Sequence, residues 1–323
     1  MRYHSRVTPF AQSAHILTNI LLPVLLMVGL GALVQRFQPL DNRTLSRIQI
    51  YAFVPAFMFV RVYESQLSWG AIGKIALAVL LSQFVLAVPL YFAMRARRVP
   101  PETLSVVLLA SVVFNAGNFG IPVVERAFGA AGGAVQALVV MVANLSLWGI
   151  GYAMMAAVTG KGKAAAWGYF KLPMVYCLAA ALVLRGVHAP LPPFLLYTLR
   201  TVADGVIPLS LFNLGSQLAT RQAMRPVRWR VIAPTVVAKL LLLPAVTAGV
   251  SVLLGLWPFP GAVLVLAASA PSAVNTLLLA QEQNGDVELA ADCVFATTLL
   301  CVITVTATLV LLRVFGGAGS PAG

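Results

Sequence analysis

Phe114-Asn115-Ala116-Gly117-Asn118-Phe119-Gly120-Ile121-Pro122 lies inside an apolar segment long enough to cross a membrane, yet nothing in it favours an unbroken helix. Its Gly and Pro residues weaken backbone pairing, and its two Asn residues carry amides into what should be hydrocarbon. A lipid-facing helix does not tolerate this. A helix broken near the midplane, with its polar backbone lining a cavity, does. A second interruption stands at Ala268-Ser269-Ala270-Pro271-Ser272-Ala273-Val274-Asn275-Thr276. The two are expected to form one site.

Composition sets the class. The chain has 323 residues, 60% of them hydrophobic and only 10% charged, with a mean hydropathy of +0.92. Soluble domains carry about 25% charged residues, which excludes that class. Apolar segments of about 20 residues or more without β-type alternation indicate a helical membrane protein rather than a barrel. The net charge of +13 sits in short loops between apolar spans. Topology and anionic lipid account for it, and nucleic acid is not an expected partner. Cys177, Cys293 and Cys301 lie in apolar spans without metal spacing and read as small buried hydrophobes. Arg2 and Arg6 before an apolar run imitate a signal peptide. The run from Ile16 to Val34 is long for one and lacks a small-x-small exit, so it reads as an uncleaved first helix. No soluble domain is expected.

Ten spans are expected, at 15–37, 44–62, 70–94, 102–128, 132–159, 167–186, 193–220, 230–255, 259–283 and 287–313. Lys161 and Lys163 divide the chain into two five-span halves, 1–160 and 161–323. Pro55 of span 2 has a counterpart in Pro208 of span 7, and Pro89 of span 3 in Pro244 of span 8. The same 27 residues separate Pro89 from Ala116 and Pro244 from Pro271, which puts the interruptions at equivalent points of spans 4 and 9. Five spans is an odd number, so the second half is inverted in the membrane. The expected fold is therefore all-α: ten transmembrane helices in two inverted five-helix repeats, with broken helices 4 and 9 meeting at the midplane, a transporter architecture. The loops after the odd-numbered spans carry thirteen Lys and Arg, the opposite side eight, among them Arg61 and Arg126. The first set is placed in the cytoplasm and both termini outside. Arg2 and Arg6 oppose this locally.

In that topology the second half of each broken span begins at the bilayer centre, and two helix N-termini with unpaired N–H groups point at one place. Such a place suits an anion, above all a carboxylate. Asn115, Gly117, Asn118, Gly120, Pro271, Ser272, Asn275 and Thr276 are the candidate substrate-binding residues. Any one of the polar ones alone reads equally as a partner for a neighbouring helix. Lys239 lies roughly 13 Å into span 8 from Arg230; it either snorkels to the cytoplasmic face or faces the cavity as counter-charge to substrate. Asp204, mid-span, is a candidate proton or cation carrier, the alternative being a salt bridge to Lys239. Glu282 and Asp292 are further ion-coupling candidates. His4, His15 and His188 have no ligand spacing, and neither a nucleophile elbow nor a phosphate-cradling loop is present, so no enzyme and no metal site is expected. With no ATP site, active transport has to draw on an ion gradient, H⁺ or Na⁺, and no cofactor is expected.

The chain resembles the auxin efflux carrier family, with its plant auxin carriers and bacterial malonate and malate permeases, within the bile-acid/sodium symporter-like fold. The resemblance covers essentially the whole chain. It rests on Asn115 five residues before Gly120-Ile121-Pro122, on Asp204 eight before Phe212-Asn213-Leu214-Gly215, on Lys239 five before Pro244, on Ala270-Pro271 followed by Ala280-Gln281-Glu282, and on Thr297-Thr298-Leu299. It implies a scaffold and a transport domain each built from both repeats, crossover positions at Asn115 and Pro271, and an organic anion bound beside the crossing. The chain departs from the plant carriers at Phe114, where they have Pro, and in its short Lys161/Lys163 linker. That favours a bacterial-type inner-membrane permease for a small carboxylate such as malate, malonate or an auxin-like acid. The expected partners are that anion and membrane lipid, with a homodimer left open. A channel or ligand-sensing receptor on the same fold is the competing reading.

Overall fold

A computed structural model describes residues 18, 22–147, 173–219, 229–282 and 285–315. The Lys161/Lys163 linker, the 160/161 division, the start of span 1, the end of span 5 and the start of span 6 lie outside the described residues. The described chain is helical, with one isolated antiparallel β-bridge, Phe114 to Ser272. In chain order the helices are α1 (Leu22–Phe37), α2 (Asn42–Tyr63), α3 (Trp69–Ala96), α4 (Pro101–Val112), α5 (Ala116–Ser146), α6 (Pro173–Gly186), α7 (Pro193–Ala219), α8 (Trp229–Leu253), α9 (Gly261–Ala268), α10 (Asn275–Glu282) and α11 (Val287–Phe315). Among the described residues, six of these are long and apolar enough to cross a membrane: α2, α3, α5, α7, α8 and α11. The protein is an integral membrane protein. Helices α1, α4 and α6 are shorter apolar helices.

Local chemistry explains the irregularities. Asp41 opens α2 by accepting from the Arg43 N–H at 3.0 Å and the Thr44 hydroxyl at 2.6 Å. These bonds hold its carboxyl below the usual range, the Thr44 hydroxyl contributing most and the Arg43 amide next. Proline lacks an N–H, and the helix widens just ahead of it. Before Pro55 the Val54 N–H reaches back five residues to Gln49, and before Pro244 the Leu243 N–H reaches back five to Ala238. Such widened turns change which way the side chains ahead of the proline face. Gln49 and Lys239 sit in them. Gly129, at φ 63°, breaks α5 into two limbs. The break falls between the ends expected for spans 4 and 5.

The helices pack in two groups. One holds α1, α2, α6 and α7; the other holds α3, α4, α5, α8, α9, α10 and α11; α5 packs against α2 and α7 where the two meet. In the first group α1 and α7 touch backbone to backbone. A Cβ on Gly31 would lie 2.0 Å from the Phe212 carbonyl oxygen, and one on Gly215 would lie 1.9 Å from that of Val28. Small residues at a helix crossing permit this approach inside a membrane. Beside it the Ser216 hydroxyl donates to Gln35 at 2.7 Å and is hydrogen-bonded to Asn42. Valine at 215 has only backbone to displace, so Gly215→Val is expected to cost about 1–3 kcal/mol and to lower the unfolding temperature in detergent. Gly29→Ala, with nothing within 4 Å of its Cβ, is expected to stay within about 0.5 kcal/mol.

Candidate functional site

Both interruptions meet at the β-bridge. The chain leaves α4 at Val112, runs extended through Val113 to Asn115 and turns helical again at Ala116; it leaves α9 at Ala268 and turns helical again at Asn275. Where they pass, the Asn115 N–H donates to Pro271 C=O at 2.8 Å and the Ala273 N–H to Val113 C=O at 3.2 Å. Asn115 then caps the new helix, its Oδ1 accepting from the Asn118 N–H at 3.1 Å. This fixes the orientation of the amide and leaves the buried Asn115 Nδ2 without an acceptor among the described residues.

A cavity of about 750 Å³ opens onto the restarting ends of both helices. Asn115 to Asn118 and Ala273 to Asn275 form its floor, Gln49, Asn213 and Gln217 one wall, and Arg43 and Arg47 its mouth. Among the described residues these two exposed arginines are the only charged ones that line it. Helix N-termini, amide donors and two guanidiniums give the described lining one sign. Gln49 orders the wall: its Nε2 donates to Asn118 Oδ1 and to the Ser210 hydroxyl, each at 2.7 Å, and its Oε1 accepts from Asn213 Nδ2 at 3.1 Å. Sequence reasoning passed over Gln49 and Asn213 as site residues. A single Gln ahead of a Pro in an apolar span was the available signal.

Of the candidates from sequence, Asn115, Gly117, Asn118 and Asn275 line the cavity. The others build the crossing behind it. Pro271 supplies the carbonyl paired with Asn115. The Ser272 hydroxyl donates to Ala110 C=O at 2.6 Å, and its N–H to the Thr297 hydroxyl at 3.1 Å. Gly120 makes room for Gln136, whose Nε2 would stand 2.5 Å from a Cβ there and donates to Ala116 C=O at 2.7 Å. The Thr276 hydroxyl is buried without a partner.

Two charged candidates stand elsewhere than expected. Lys239 neither snorkels nor lines the cavity. It is fully buried, its ammonium 2.6 Å from Ala268 C=O at the end of α9 and 5.3 Å from the centre of the Phe114 ring. A cation at the carbonyl end of a half-helix offsets the negative end of its dipole, and the ring face adds to that. Asp204 is not a buried carboxylate paired with Lys239. Next to Gly205, where α7 is interrupted, its side chain is 70% exposed, 3.7 Å from Arg61. The reason for reading it as a buried ion carrier is thereby removed. Arg61, counted from sequence as a loop charge, is 16% exposed and forms a two-pronged pair with Glu125 at 2.6 and 2.9 Å. Sequence reasoning gave Glu125 no role. Asp292 is half-buried on α11, and the side chain of Glu282 lies outside the described residues.

The family model described as membrane transport protein matches residues 16–309. The chain is 27% identical over 297 residues to an uncharacterized transporter of Methanothermobacter thermautotrophicus, covering 89% of this chain and 95% of that protein. It is 25% identical over 297 residues to one of Methanocaldococcus jannaschii, covering 89% and 96%. The chain belongs to the membrane transport protein family of auxin efflux carrier-like proteins.

Lys239→Met removes the donor to a buried carbonyl and leaves the cavity lining untouched. It is expected to cost about 1–3 kcal/mol of stability, read as a lower unfolding temperature in detergent. An unchanged unfolding temperature would show that the ammonium is not what holds the end of α9.

Proposed function

From membership of this family as premise, we propose that the protein is a secondary active or facilitative transporter of a small organic anion, a carboxylate such as malate, malonate or an auxin-like acid, and not an enzyme. The observation that carries the reading is the cavity: among the described residues, two arginines and no acid at its lining, with Asn115 Nδ2 unpaired at its floor. A carboxylate there accepts from that amide and from N–H groups of the restarting helices. The volume, about 750 Å³, leaves room for a small acid with water. In this reading Asn115, Gly117, Asn118 and Asn275 touch the anion, while Gly120, Pro271, Ser272, Thr276 and Lys239 hold the crossing.

Movement is by alternating access. We take α1, α2, α6 and α7 as the scaffold, the remaining helices as the transport domain, and the two as drawn from inverted five-span repeats, 1–160 and 161–323. Side-chain hydrogen bonds between α2 and α5 tie the groups together, Gln49 to Asn118 and Arg61 to Glu125, and the Arg185 guanidinium of α6 stands over the Trp69 ring of α3. With Arg43 and Arg47 on the cytoplasmic side, the cavity faces inward, both termini lie outside, and the Arg61–Glu125 pair closes the outer path. In a bacterium the membrane is the inner one. Coupling, where flux is active, is assigned to H⁺ rather than Na⁺, because two helix N-termini and the Lys239 ammonium surround the crossing with positive charge.

Proteoliposomes tested for counterflow across a panel of mono- and dicarboxylates check this. Saturable, Na⁺-independent exchange is expected, and an ohmic current would replace the carrier by a channel. Asn115→Ala and Pro271→Ala are both expected to abolish exchange; if both leave it intact, the site is wrong. Arg43→Gln with Arg47→Gln is expected to raise the half-saturation concentration about three- to tenfold, an effect that shrinks in high salt. Glu125→Gln is expected to lower maximal flux about tenfold, about 1.4 kcal/mol, with half-saturation nearly constant. A matching loss of affinity would put Glu125 in the binding site instead.

A further inference from the structure

A second cavity, of about 710 Å³, lies between α3 and α4, away from the one described above. Its walls are apolar: Phe84, Val88 and Phe92 from α3, Leu104 and Leu108 from α4. Phe84 and Phe92 are 62% and 64% exposed, on a helix that crosses the membrane, so the groove opens sideways onto the bilayer. One end carries Arg95 and Arg98, and among the described residues no acid lines it. The other end is closed by Gln83, a buried residue whose Nε2 donates to Val112 C=O at 3.2 Å while its Oε1 has no donor among the described residues. Twelve residues of helix separate Gln83 from Arg95, about 18 Å. One leaflet of hydrocarbon is about 15 Å deep. The groove therefore has the length of an acyl chain, with a cationic end where a headgroup lies.

The backbone at the cationic end adds a second observation. Helix α3 ends on a left-handed residue, with the Arg98 N–H donating to Arg95 C=O at 3.0 Å and the Val99 N–H to Met94 C=O at 3.2 Å. Helix α8 ends in the same way, the Gly255 N–H donating to Val252 and the Leu256 N–H to Ser251. There the left-handed residue is glycine, at φ 66°, which adopts this conformation freely; at the end of α3 it is Arg98, at φ 55°. The end of α6 closes in the same way on His188, at φ 53°; at the end of α3 this turn carries the Arg98 side chain to the mouth of the groove.

We propose that this groove binds an anionic glycerophospholipid of the leaflet on the Arg95 side, its phosphate held by Arg95 and Arg98 and one acyl chain laid between α3 and α4. Guanidinium groups match phosphate oxygens in two-pronged pairs. A zwitterionic lipid leaves the pair of arginines uncompensated, and a small soluble acid gains nothing from the apolar length. Arg97 and Glu102, which flank the mouth in sequence, do not line it. The inner end rests on Val112 and Val113, the last residues before the crossing, so an occupied groove braces α4 exactly where the broken helix begins its extended run.

The test is independent of transport. The purified protein is titrated in dodecyl maltoside with dioleoylphosphatidylglycerol, dioleoylphosphatidylethanolamine or glycerol phosphate and read by native mass spectrometry. Saturable retention of phosphatidylglycerol is expected, with phosphatidylethanolamine weaker and glycerol phosphate not retained. Arg95→Gln with Arg98→Gln is expected to weaken phosphatidylglycerol about 30-fold, and Val88→Trp, which fills the groove and keeps both arginines, is expected to weaken it as well. Arg97→Gln is expected to leave retention unchanged. The proposal is overturned if both lipids bind alike, if glycerol phosphate binds as tightly as the lipid, or if Arg97→Gln weakens binding as much as the double variant, which would mean a diffuse surface charge.

Discussion

A helix that stops inside a membrane strands backbone groups where no water can reach them, and everything at the centre of this protein answers to that constraint. The answer differs at the two kinds of end. The carbonyl ends are closed by side chains from other helices: Ser272 on Ala110, Gln83 on Val112 and Lys239 on Ala268. The extended strands close each other through the Phe114–Ser272 bridge. The restarting amide ends face the cavity instead, at Asn115 to Asn118 and at Ala273 to Asn275. The carbonyl ends are thus closed within the protein while the amide ends are turned toward the cavity, and that asymmetry is what the anion reading proposed above draws on.

How far this could be read from the sequence depended on whether the signal was local. The two interruptions were legible because Gly, Pro and Asn inside an apolar run have no comfortable place in a lipid-facing helix, and their equal distance from Pro89 and Pro244 marked them as a pair. The break between spans 4 and 5 was legible for the same reason, at Gly129. Direction around a helix axis was not. Lys239 precedes Pro244 by five residues, and the widened turn ahead of that proline changes which way the side chain faces; it faces the end of α9, where a uniform helix gave no reason to look. Asp204 was misjudged through its neighbour, since Gly205 interrupts α7 at the point where unbroken burial had been assumed.

Pairings across long stretches of chain were the other blind spot. Arg61 near the end of an apolar span looks like any loop charge until Glu125, 64 residues away, stands against it. Gln49 shows the same thing without charge. Its amide holds three partners, on α5 and α7, from a position that composition and periodicity leave unmarked. Such residues become visible only when the helices that carry them have been placed side by side.

Arg61 also shows how a guanidinium inside a helix bundle is kept from depending on one partner. A largely buried guanidinium with a single carboxylate loses about 3–5 kcal/mol when that carboxylate is removed. Besides Glu125 on α5, Asp204 stands 3.7 Å from the same guanidinium, on α7, a helix that packs against the α2 that carries Arg61. Gln49 is provided for in the same way, with Asn118 on α5 and both Ser210 and Asn213 on α7. Both residues of α2 that reach α5 therefore hold a second partner on α7, and the alternating-access movement proposed above would require that redundancy, since a contact that opens in such a movement must leave neither the guanidinium nor the amide unpaired.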